Sequence, residues 1–441
     1  MGCCLEDFCE IYGLISAIMK IAYSLPNRMP AGDRSRGNFT HQGYIIEGLE
    51  KRQNKVDIIV QYGAWEMGID DNNGLVTTFI RTWSKSIWFR IAHAITWRIQ
   101  KLFRIPNLNC FTTLARFDAL RKPLSTYDLV IERLGKYRAS VALTAKILNK
   151  PYILFFIADP LFEEDLVGHP LKGLLKWQAR NMISFCLRTA DKVICVSSAL
   201  RRQLENNYGI PGEKILVLPN CVDIHKFRPY PEKRVTIRQK YNIGDNPLIV
   251  FVGTFYEWQD IGALVEAFGK LHNKNSEARL LLVGDGVNKT KIEDLVLRMG
   301  LDKAVILTGS IPFDEVPFLL SAADVTVAPY KKMNVEFWES PMKLFEYMAS
   351  GTPLITSSIG QISEIIKNSE NGLLVEPGDV CELSLAMEKL INNPTLRSSL
   401  SQNARLDVER SFSWEQYIDR LENLFNEILT SHNGKIDHKI K

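Results

Sequence analysis

The sequence lacks an apolar run long enough to span a lipid bilayer. A membrane-spanning helix needs about 18 to 20 consecutive apolar residues, and the candidate run, LISAIMKIAY, is too short and contains Lys20. An excess of one charge is missing too: the net charge is +4 over 441 residues, whereas nucleic-acid-binding domains usually show a marked basic excess. We therefore expect neither a transmembrane segment nor a nucleic-acid partner.

Paired cysteines and metal-binding motifs are also missing. The eight cysteines are scattered, without the paired spacing of a zinc site, which favours a reducing, cytoplasmic compartment over a disulfide framework. The chain has no Asp-x-Asp triplet and no cluster of histidines. We expect a protein that needs no metal ion and no bound cofactor.

Short apolar runs alternate with amphipathic helical stretches through most of the chain. This alternation is typical of parallel sheets covered by helices on both faces. Two such series are separated by a polar stretch with several prolines, RPYPEKRVTIRQKYNIGDNP. The sequence therefore predicts an α/β fold with two doubly wound, Rossmann-like domains. We expect them to face each other across a cleft, where such sheets bind ligands.

The alternation also predicts the limits of each part. The predicted parts are an N-terminal extension (1–18), a first domain (19–228), a linker (229–247), a second domain (248–412), a helix that packs back on the first domain (413–431) and a flexible tail (432–441).

One stretch of the second domain, FWESPMKLFEYMASGTPLIT, has the pattern of an anion site. Ser340 can cap a helix whose first residue is Pro341, and Gly351 can end it. A cation in the first turn, Lys343, opposes the helix dipole unless an anion lies at the helix start. Glu346 shares a face with Lys343. The alternative is a capped surface helix with a solvated Lys–Glu pair.

This stretch is similar to the second-domain motif of the family-four, group 1 glycosyltransferases, in the subgroup with Ser-Pro-x-Lys-Leu-Phe-Glu-Tyr-Met. The resemblance extends over roughly residues 19–430. Further similar segments, in the expected order, are YDLVIER, ADKVICVSSALRRQLENNYGIPGEKILVLPNCVDIHKFRP, LIVFVGTFYEWQDIGALVEAF, LLLVGDG, VILTGSIPFDEVPFLLSAADVTVAPY and NGLLVEPGD. The resemblance implies a GT-B fold, with an acceptor bound by the first domain and a nucleotide sugar by the second.

The resemblance also implies roles for donor-site residues. Glu346 would bind the ribose, and Lys343 would stabilise charge on the diphosphate. The other donor-site residues that it implies are Gly253, Thr254, Gln259, Gly284, Gly286, Gly309, Ser310, Ser340, Pro341 and Met342. Among these, Gly309 and Ser310 would lie near the nucleobase.

The sequence departs from the family pattern at three positions. Trp338 stands where the family has a Glu, and Glu339 lies one residue further on. Thr254 and Gln259 stand where relatives often have Arg and Lys, so that more of the diphosphate charge would fall to Lys343. These departures leave open a second hypothesis, a catalytically inactive GT-B subunit that partners an active transferase. An epimerase acting on a nucleotide sugar is a lesser alternative.

Polar residues in the first domain suggest an acceptor side. Asp159 follows a buried strand and could orient the acceptor hydroxyl, which makes it a catalytic candidate with Glu339 and Lys343; alternatively it caps a helix. Glu132 and Arg133 end another strand. Gly37 and His41 lie where relatives have cleft residues, although His41 could equally be a solvated helix-start residue.

Residues 81–104 form a basic stretch with three tryptophans, RTWSKSIWFRIAHAITWRIQKLFR. On a helix, its isoleucines share one side and most of its cations lie on the other. This pattern is typical of helices that bind a membrane surface, and the alternative is a helix that packs its isoleucines on the core.

Together these features predict a retaining, metal-independent glycosyltransferase with a nucleotide diphosphate sugar as co-substrate. Its acceptor would be a glycan or a lipid-linked glycan, in polysaccharide, glycan or glycolipid biosynthesis. We expect a cytoplasmic protein, peripheral on the inner face of the membrane.

Overall fold

The protein is described here by a computed structural model. It describes residues 18–25, 37–61, 65–70, 76–103, 110–135, 137–166 and 171–440. The predicted extension (1–18) therefore lies, except for Ile18, outside the described residues. Within the described residues no helix is both long and apolar enough to cross a membrane.

The first domain is built on an eight-stranded sheet. Its strands are β1 (Lys20–Ser24), β2 (Lys55–Gln61), β3 (Met67–Asp70), β4 (Val76–Thr78), β5 (Leu129–Arg133), β6 (Tyr152–Phe156), β7 (Lys192–Cys195) and β8 (Ile215–Val217). They lie in the order β4-β3-β2-β1-β5-β6-β7-β8. All pairs are parallel except β2–β3 and β3–β4. These two short antiparallel edge strands were not predicted, because neither has an apolar run.

The second domain has a six-stranded, fully parallel sheet. Its strands are β9 (Leu248–Val252), β10 (Arg279–Val283), β11 (Val305–Gly309), β12 (Val325–Ala328), β13 (Leu354–Ser357) and β14 (Leu373–Val375). The order β11-β10-β9-β12-β13-β14 reverses direction between β9 and β12. Ligands of such sheets bind at the carboxyl ends of the strands at this switch point.

Helices cover both faces of both sheets. Those that follow strands of the first sheet are α1 (Gly37–Lys51), α2 (Ile87–Leu102), α3 (Cys110–Leu124), α4 (Ser140–Ile147), α5 (Pro160–Leu166), α6 (Gly173–Thr189) and α7 (Ser198–Tyr208). The remaining helices are α8 (Pro231–Lys240), α9 (Ile261–His272), α10 (Lys289–Arg298), α11 (Val316–Ala322), α12 (Met342–Ala349), α13 (Ile362–Ile365), α14 (Val380–Asn392), α15 (Pro394–Ser411) and α16 (Trp414–Ile440). The predicted fold class, two Rossmann-like α/β domains, is confirmed.

The strands alternate between two cores because successive side chains point to opposite faces of a sheet. In β6, for example, Ile153 and Phe155 face α1 and α16, whereas Leu154 and Phe156 belong to the core on the opposite face. Nearly all side chains of these central strands are apolar, as expected for a sheet buried on both sides.

Two of the predicted segments, the linker and the tail, contain helical residues. The linker predicted at 229–247 contains α8, which packs on α11; Arg238 of α8 forms an ion pair of 2.6 Å with Asp324 of the second domain. The tail predicted as flexible at 432–441 is helical up to Ile440, because α16 continues through it. The start of α16 packs in the core of the first domain, through Trp414 and Tyr417.

Helix α2 lies on the first domain with its isoleucines turned outward. None of its residues is buried, and the exposed fractions of Ile87, Trp88 and Ile95 are 59%, 77% and 52%. The side chains less exposed to solvent, among them Phe89 and His93, are on another side of the helix. The alternative that the isoleucines pack on the core is therefore wrong. Arg104, the last cation of this stretch, lies outside the described residues.

Candidate active site

The floor of the cleft in the second domain is a close contact between glycine backbone and a lysine. Gly253 follows β9 with a φ of +155°, and a Cβ atom there would lie 2.2 Å from Nζ of Lys343. At Gly284, at the end of β10, a Cβ atom would lie 1.9 Å from the carbonyl oxygen of Gly253. Only glycine allows the strand ends and the lysine to approach this closely.

The other predicted donor-site glycines lie beside this contact. The amide of Gly284 donates to the carbonyl of Gly309 (2.9 Å), and the amide of Gly253 donates to the carbonyl of Val283 (2.9 Å). Gly286 packs against the backbone of Phe255. Thr254 and Ser310, the residues after two of these strand ends, are exposed.

Helix α12 begins differently from the predicted capped helix. Its first residue is Met342, it is eight residues long, and no side chain caps it. The Oγ of Ser340 instead accepts a hydrogen bond from the amide of Asn220 (2.9 Å), and the Asn220 side chain donates to the Ser340 carbonyl (2.5 Å). The prediction that Ser340 caps the helix is thus wrong, because the serine bonds to the first domain. Gly351, with a φ of +69°, does follow the helix end.

Lys343 extends from the first turn of α12 across the end of β9. Its Nζ donates to Oε1 of Gln259 (2.6 Å) and lies 4.4 Å from the centre of the Phe251 ring. Burial lowers the pKa of Lys343 to about 7, and the charges of Glu339 and Glu346 oppose this shift. Gln259, which replaces a family lysine, therefore orients the ammonium group that remains.

Two carboxyl groups flank this lysine, and both are partly exposed. Burial raises the pKa of Glu339 to about 7, against the opposing effects of the Lys343 charge and a hydrogen bond from Trp258. Burial likewise raises the pKa of Glu346 to about 7, opposed by Lys343 and Lys226. In the described part of the chain, no side chain forms a hydrogen bond with the Glu346 carboxyl group, so its oxygens are available to a ligand.

The position at which the family has a Glu is turned away from this group. Trp338 is only 3% exposed and belongs to the core of the first domain. Its ring meets that of Phe162 edge-on, with centroids 4.7 Å apart. The carboxyl group beside Lys343 is that of the next residue, Glu339.

Asp159, a catalytic candidate from the sequence, has a structural role. It is 5% exposed. One carboxyl oxygen accepts from the amide of Leu161 at the start of α5 (2.9 Å), and the other accepts from the hydroxyl of Tyr208 (2.9 Å). The prediction that Asp159 orients an acceptor is corrected, because both oxygens are used within the first domain and the residue acts as a helix cap.

Two further residues predicted on the acceptor side are buried. Glu132 accepts a hydrogen bond from Tyr152 (2.5 Å), and burial raises its pKa to about 7. The His41 ring is enclosed by Phe155, Trp414 and Tyr417, and burial lowers its pKa to about 3. A solvated His41 is therefore excluded, and neither side chain is presented to an acceptor. Gly37 is the first residue of α1.

Arg133 is the predicted acceptor-side residue that remains partly exposed. Burial lowers its pKa, and the charge of Glu163 opposes this shift. Glu163 also raises the pKa of Glu339, so it lies within electrostatic range of both faces of the cleft. The sequence analysis did not assign Glu163 a role; the signal for it is its place on α5, the helix that follows the buried strand β6.

A cavity of about 700 Å³ lies between the two domains, and Tyr44 and Lys226 of its wall are within electrostatic range of Glu346. It is lined by Thr40, Tyr44, Glu47, Gly48, Lys51, Arg52, Asp223, Lys226, Ile311, Pro312, Phe313, Asp314, Trp414, Glu415 and Ile418. Lys226 forms an ion pair with Asp314 and lies 4.2 Å from the centre of the Phe313 ring. The sequence analysis did not identify Lys226 or Tyr44, because they come from segments far apart in the chain.

The described residues contain no group of three or more His, Cys, Asp or Glu side chains that could hold a metal ion. The charged groups of the site are thus one lysine between two carboxyl groups, above a glycine floor at a sheet switch point. Such a site can hold an anion at the start of α12 and accept hydrogen bonds from hydroxyl groups.

Comparisons with known proteins agree with this geometry. Residues 37–226 match the family described as Glycosyltransferase Family 4, and residues 233–407 match the family described as Glycosyl transferases group 1. The chain is 23% identical over 256 residues to alpha-D-kanosaminyltransferase of Streptomyces kanamyceticus, covering 58% of this chain and 64% of that protein. It is 24% identical over 261 residues to the GDP-mannose-dependent alpha-(1-6)-phosphatidylinositol monomannoside mannosyltransferase of Mycolicibacterium smegmatis, covering 59% of this chain and 68% of that protein.

The chain thus spans about two thirds or less of the length of these curated relatives. Among solved structures, it resembles HepE of Anabaena in complex with UDP, with a TM-score of 0.66 and 17% identity over 93% of this chain and 100% of that one. At this identity the likeness concerns the GT-B fold alone. The two family models thus match the two domains one after the other, the first domain being similar to family 4 and the second to group 1 glycosyltransferases.

Proposed function

We propose that this protein transfers a sugar from a nucleotide diphosphate sugar to an acceptor hydroxyl, with retention of configuration and without a metal ion. The observation on which the proposal depends is the position of Lys343. Its ammonium group is held by Gln259 over the glycine floor at the switch point of the second sheet, and it is within electrostatic range of Glu339 and Glu346. Burial has lowered the pKa of Lys343. A diphosphate placed there would raise this pKa again and so keep the lysine fully charged.

Different residues around Lys343 assist different parts of the sugar transfer. The first-turn amides of α12 and Lys343 stabilise the charge that develops on the departing diphosphate. Glu346 accepts hydrogen bonds from the ribose hydroxyls, and Glu339 accepts them from the donor sugar. The bond from the sugar C1 to the diphosphate oxygen breaks, the acceptor oxygen forms the new bond to C1, and the acceptor proton leaves with the diphosphate.

The cavity beside Glu346 is a suitable place for the nucleoside. Its wall contains the rings of Tyr44, Phe313 and Trp414, and aromatic walls favour flat ring systems. Because HepE is recorded in complex with UDP, UDP is the first probe to use. We propose no particular sugar.

We also propose that the acceptor is a glycan or lipid-linked glycan, reached at the cytoplasmic face of a membrane through α2. The exposed isoleucines and Trp88 form an apolar stripe, and the exposed cations Arg90 and Lys101 lie beside it. A stripe of this kind suits a headgroup layer with anionic lipids. The phosphatidylinositol mannoside in the name of the Mycolicibacterium relative points to the same class of acceptor.

The inactive-subunit alternative depended on Trp338, Thr254 and Gln259, and we do not favour it. Glu339 supplies a carboxyl group beside Lys343, and Gln259 holds the lysine in place. A screen of UDP-, GDP- and ADP-sugars tests the proposal through donor hydrolysis by the purified protein. Release of nucleoside diphosphate from one donor supports it, whereas binding without turnover of every donor would revive the inactive subunit.

Vesicle sedimentation tests the membrane part. We expect binding to phosphatidylcholine vesicles only when they contain phosphatidylglycerol, and a loss of at least about tenfold in the variant Arg90→Glu/Lys101→Glu. The matched control is Lys303→Glu/Lys389→Glu, which makes the same charge change at exposed positions of the second domain. Equal binding by both variants would exclude α2 as the contact.

A further inference from the structure

The segment just before α12 connects the two domains by alternating its side chains. Phe337 packs in a core of the second domain, with its ring 5.0 Å from that of Tyr330. Trp338 packs in the core of the first domain. Glu339 turns back to Lys343 and Trp258 of the second domain, and Ser340 bonds to Asn220 of the first. In an extended chain, successive side chains point to opposite sides. Here one side is the first domain and the other is the second domain.

Backbone contacts hold Trp338 on the first-domain side. Its carbonyl accepts a hydrogen bond from Oγ of Ser197 (2.6 Å), the residue that caps α7. Two residues earlier, Glu336 forms an ion pair with Arg202 of the same helix. On the second-domain side the segment is held as tightly: a Cβ atom at Gly360 would lie 2.3 Å from the Phe337 carbonyl oxygen.

We infer that Trp338 is a positioning residue, which fixes Glu339 beside Lys343 by anchoring the segment in the first domain. The effect of Trp338 on catalysis rests on the proposed function. The attachment of the segment to the first domain does not. A carboxylate at position 338 could not have this role, because it would be buried among apolar side chains without a partner. At position 338 the tryptophan thus attaches the segment to the first domain, where the family has a charged group. The neighbouring Glu339 supplies the carboxyl group in the site.

The anchor can be tested without any substrate. Hydrogen exchange measured by mass spectrometry follows two amides that this segment protects, that of Asn220, which donates to Oγ of Ser340, and that of Leu344, which donates to the carbonyl of Pro341. We expect Trp338→Ala to speed their exchange by at least about tenfold, because the segment loses its attachment to the first domain. Trp338→Phe, which keeps an aromatic ring beside Phe162, should restore most of the protection. The control Phe268→Ala removes a buried ring from the second domain alone and should leave these amides unchanged.

If Trp338→Ala does not fold, Phe162→Ala tests the same contact from the first domain and should speed the same amides. Unchanged exchange at the amides of Asn220 and Leu344 in a folded Trp338→Ala or Phe162→Ala protein would overturn the inference. So would equal acceleration by Phe268→Ala, because the effect would then be general loosening.

Kinetics separate the positioning role from the proposed function. With a donor that the wild type turns over, we expect Trp338→Ala to lower kcat about 100-fold, because catalysis is sensitive to displacements of about 1 Å. The KM for the donor should change less than about threefold, and Trp338→Phe should recover most of kcat. A rise in KM with kcat unchanged would contradict the inference. A wild type without turnover would instead count against the proposed function, while the exchange experiment would still decide the anchor.

Discussion

The two faces of the cleft differ in how their charged side chains are used. On the second domain, Lys343 lies between Glu339 and Glu346, and all three are partly exposed. On the first domain, Glu132 and Asp159 are buried and hydrogen-bonded within the domain. Charged residues of two domains with the same type of fold thus form a candidate site on the second-domain face of the cleft. On the first-domain face they make structural contacts.

This difference shows that a shifted pKa does not identify a site by itself. Burial raises the pKa of Glu132 and that of Glu346 alike, to about 7. Glu132 is 2% exposed and accepts a hydrogen bond from Tyr152, whereas Glu346 is partly exposed and has no side-chain hydrogen-bond partner among the described residues. Exposure and a carboxyl group without a side-chain partner, and not the size of the shift, separate the candidate site residue from the structural one.

Removing the ammonium group of Lys343 should have the largest effect. We expect Lys343→Met to lower the rate of sugar transfer about 1,000-fold, because charge on the departing diphosphate is no longer stabilised. The measurement is kcat with the best donor from the screen. Lys303→Met, an exposed lysine of the same domain, should change kcat less than twofold. A loss under threefold for Lys343→Met would place the diphosphate elsewhere.

Glu346 and Glu132, whose pKa values burial raises alike, allow a direct comparison between the two faces of the cleft. Glu346→Gln should weaken UDP binding about 10- to 100-fold, since charge-assisted hydrogen bonds to the ribose are lost. Glu132→Gln should leave the affinity within about twofold. Isothermal titration calorimetry measures both, and equal effects of the two substitutions would remove the distinction between the faces.

The pH dependence of UDP binding should follow the lowered pKa of Lys343. The bound diphosphate favours the charged lysine, so the complex takes up a proton when the free lysine is neutral. Affinity should therefore be constant with respect to this group below pH 7. Above pH 7 it should fall by up to about tenfold per pH unit.

Calorimetry in two buffers of different ionisation enthalpy measures the uptake. Lys343→Met should reduce the number of protons taken up, and an unchanged number would assign the titration to other groups.

The smallest effect should come from the first domain. Asp159→Asn should alter kcat less than about threefold, because asparagine caps a helix about as well as aspartate does. Asp159→Ala should lower the free energy of unfolding by about 1 kcal/mol, measured by thermal or denaturant unfolding. A loss of 100-fold in kcat for Asp159→Asn, with stability unchanged, would return Asp159 to a catalytic role.

The parts of the candidate site that spacing alone could bring together are local: Lys343 and Glu346 share a face of one helix. The approach of Gly253 to Lys343 joins distant parts of the chain and was expected only from the family resemblance, and the roles of these residues remain predictions. Ser340 looked like a cap for the same local reason, but its partner Asn220 is 120 residues away. No pattern around position 340 could reveal that hydrogen bond.

The place of Trp338 was unpredictable for the same reason. Its burial depends on Phe162 and Ser197 of the other domain, which only the folded chain brings near. Asp159 was different: its bond to the amide of Leu161, two residues on, is local. From the sequence, Asp159 could be either a helix cap or a catalytic group. Its burial in the structure favours the helix cap.

The central claim is that Lys343 at the start of α12 holds the diphosphate of a nucleotide. Calorimetric titration of UDP, GDP and ADP into the wild type and Lys343→Met at pH 7 tests it most directly. We predict that at least one of the three binds the wild type and that Lys343→Met weakens this binding at least about tenfold. Equal affinity of both proteins, or binding of none of the three nucleotides by the wild type, would contradict the claim.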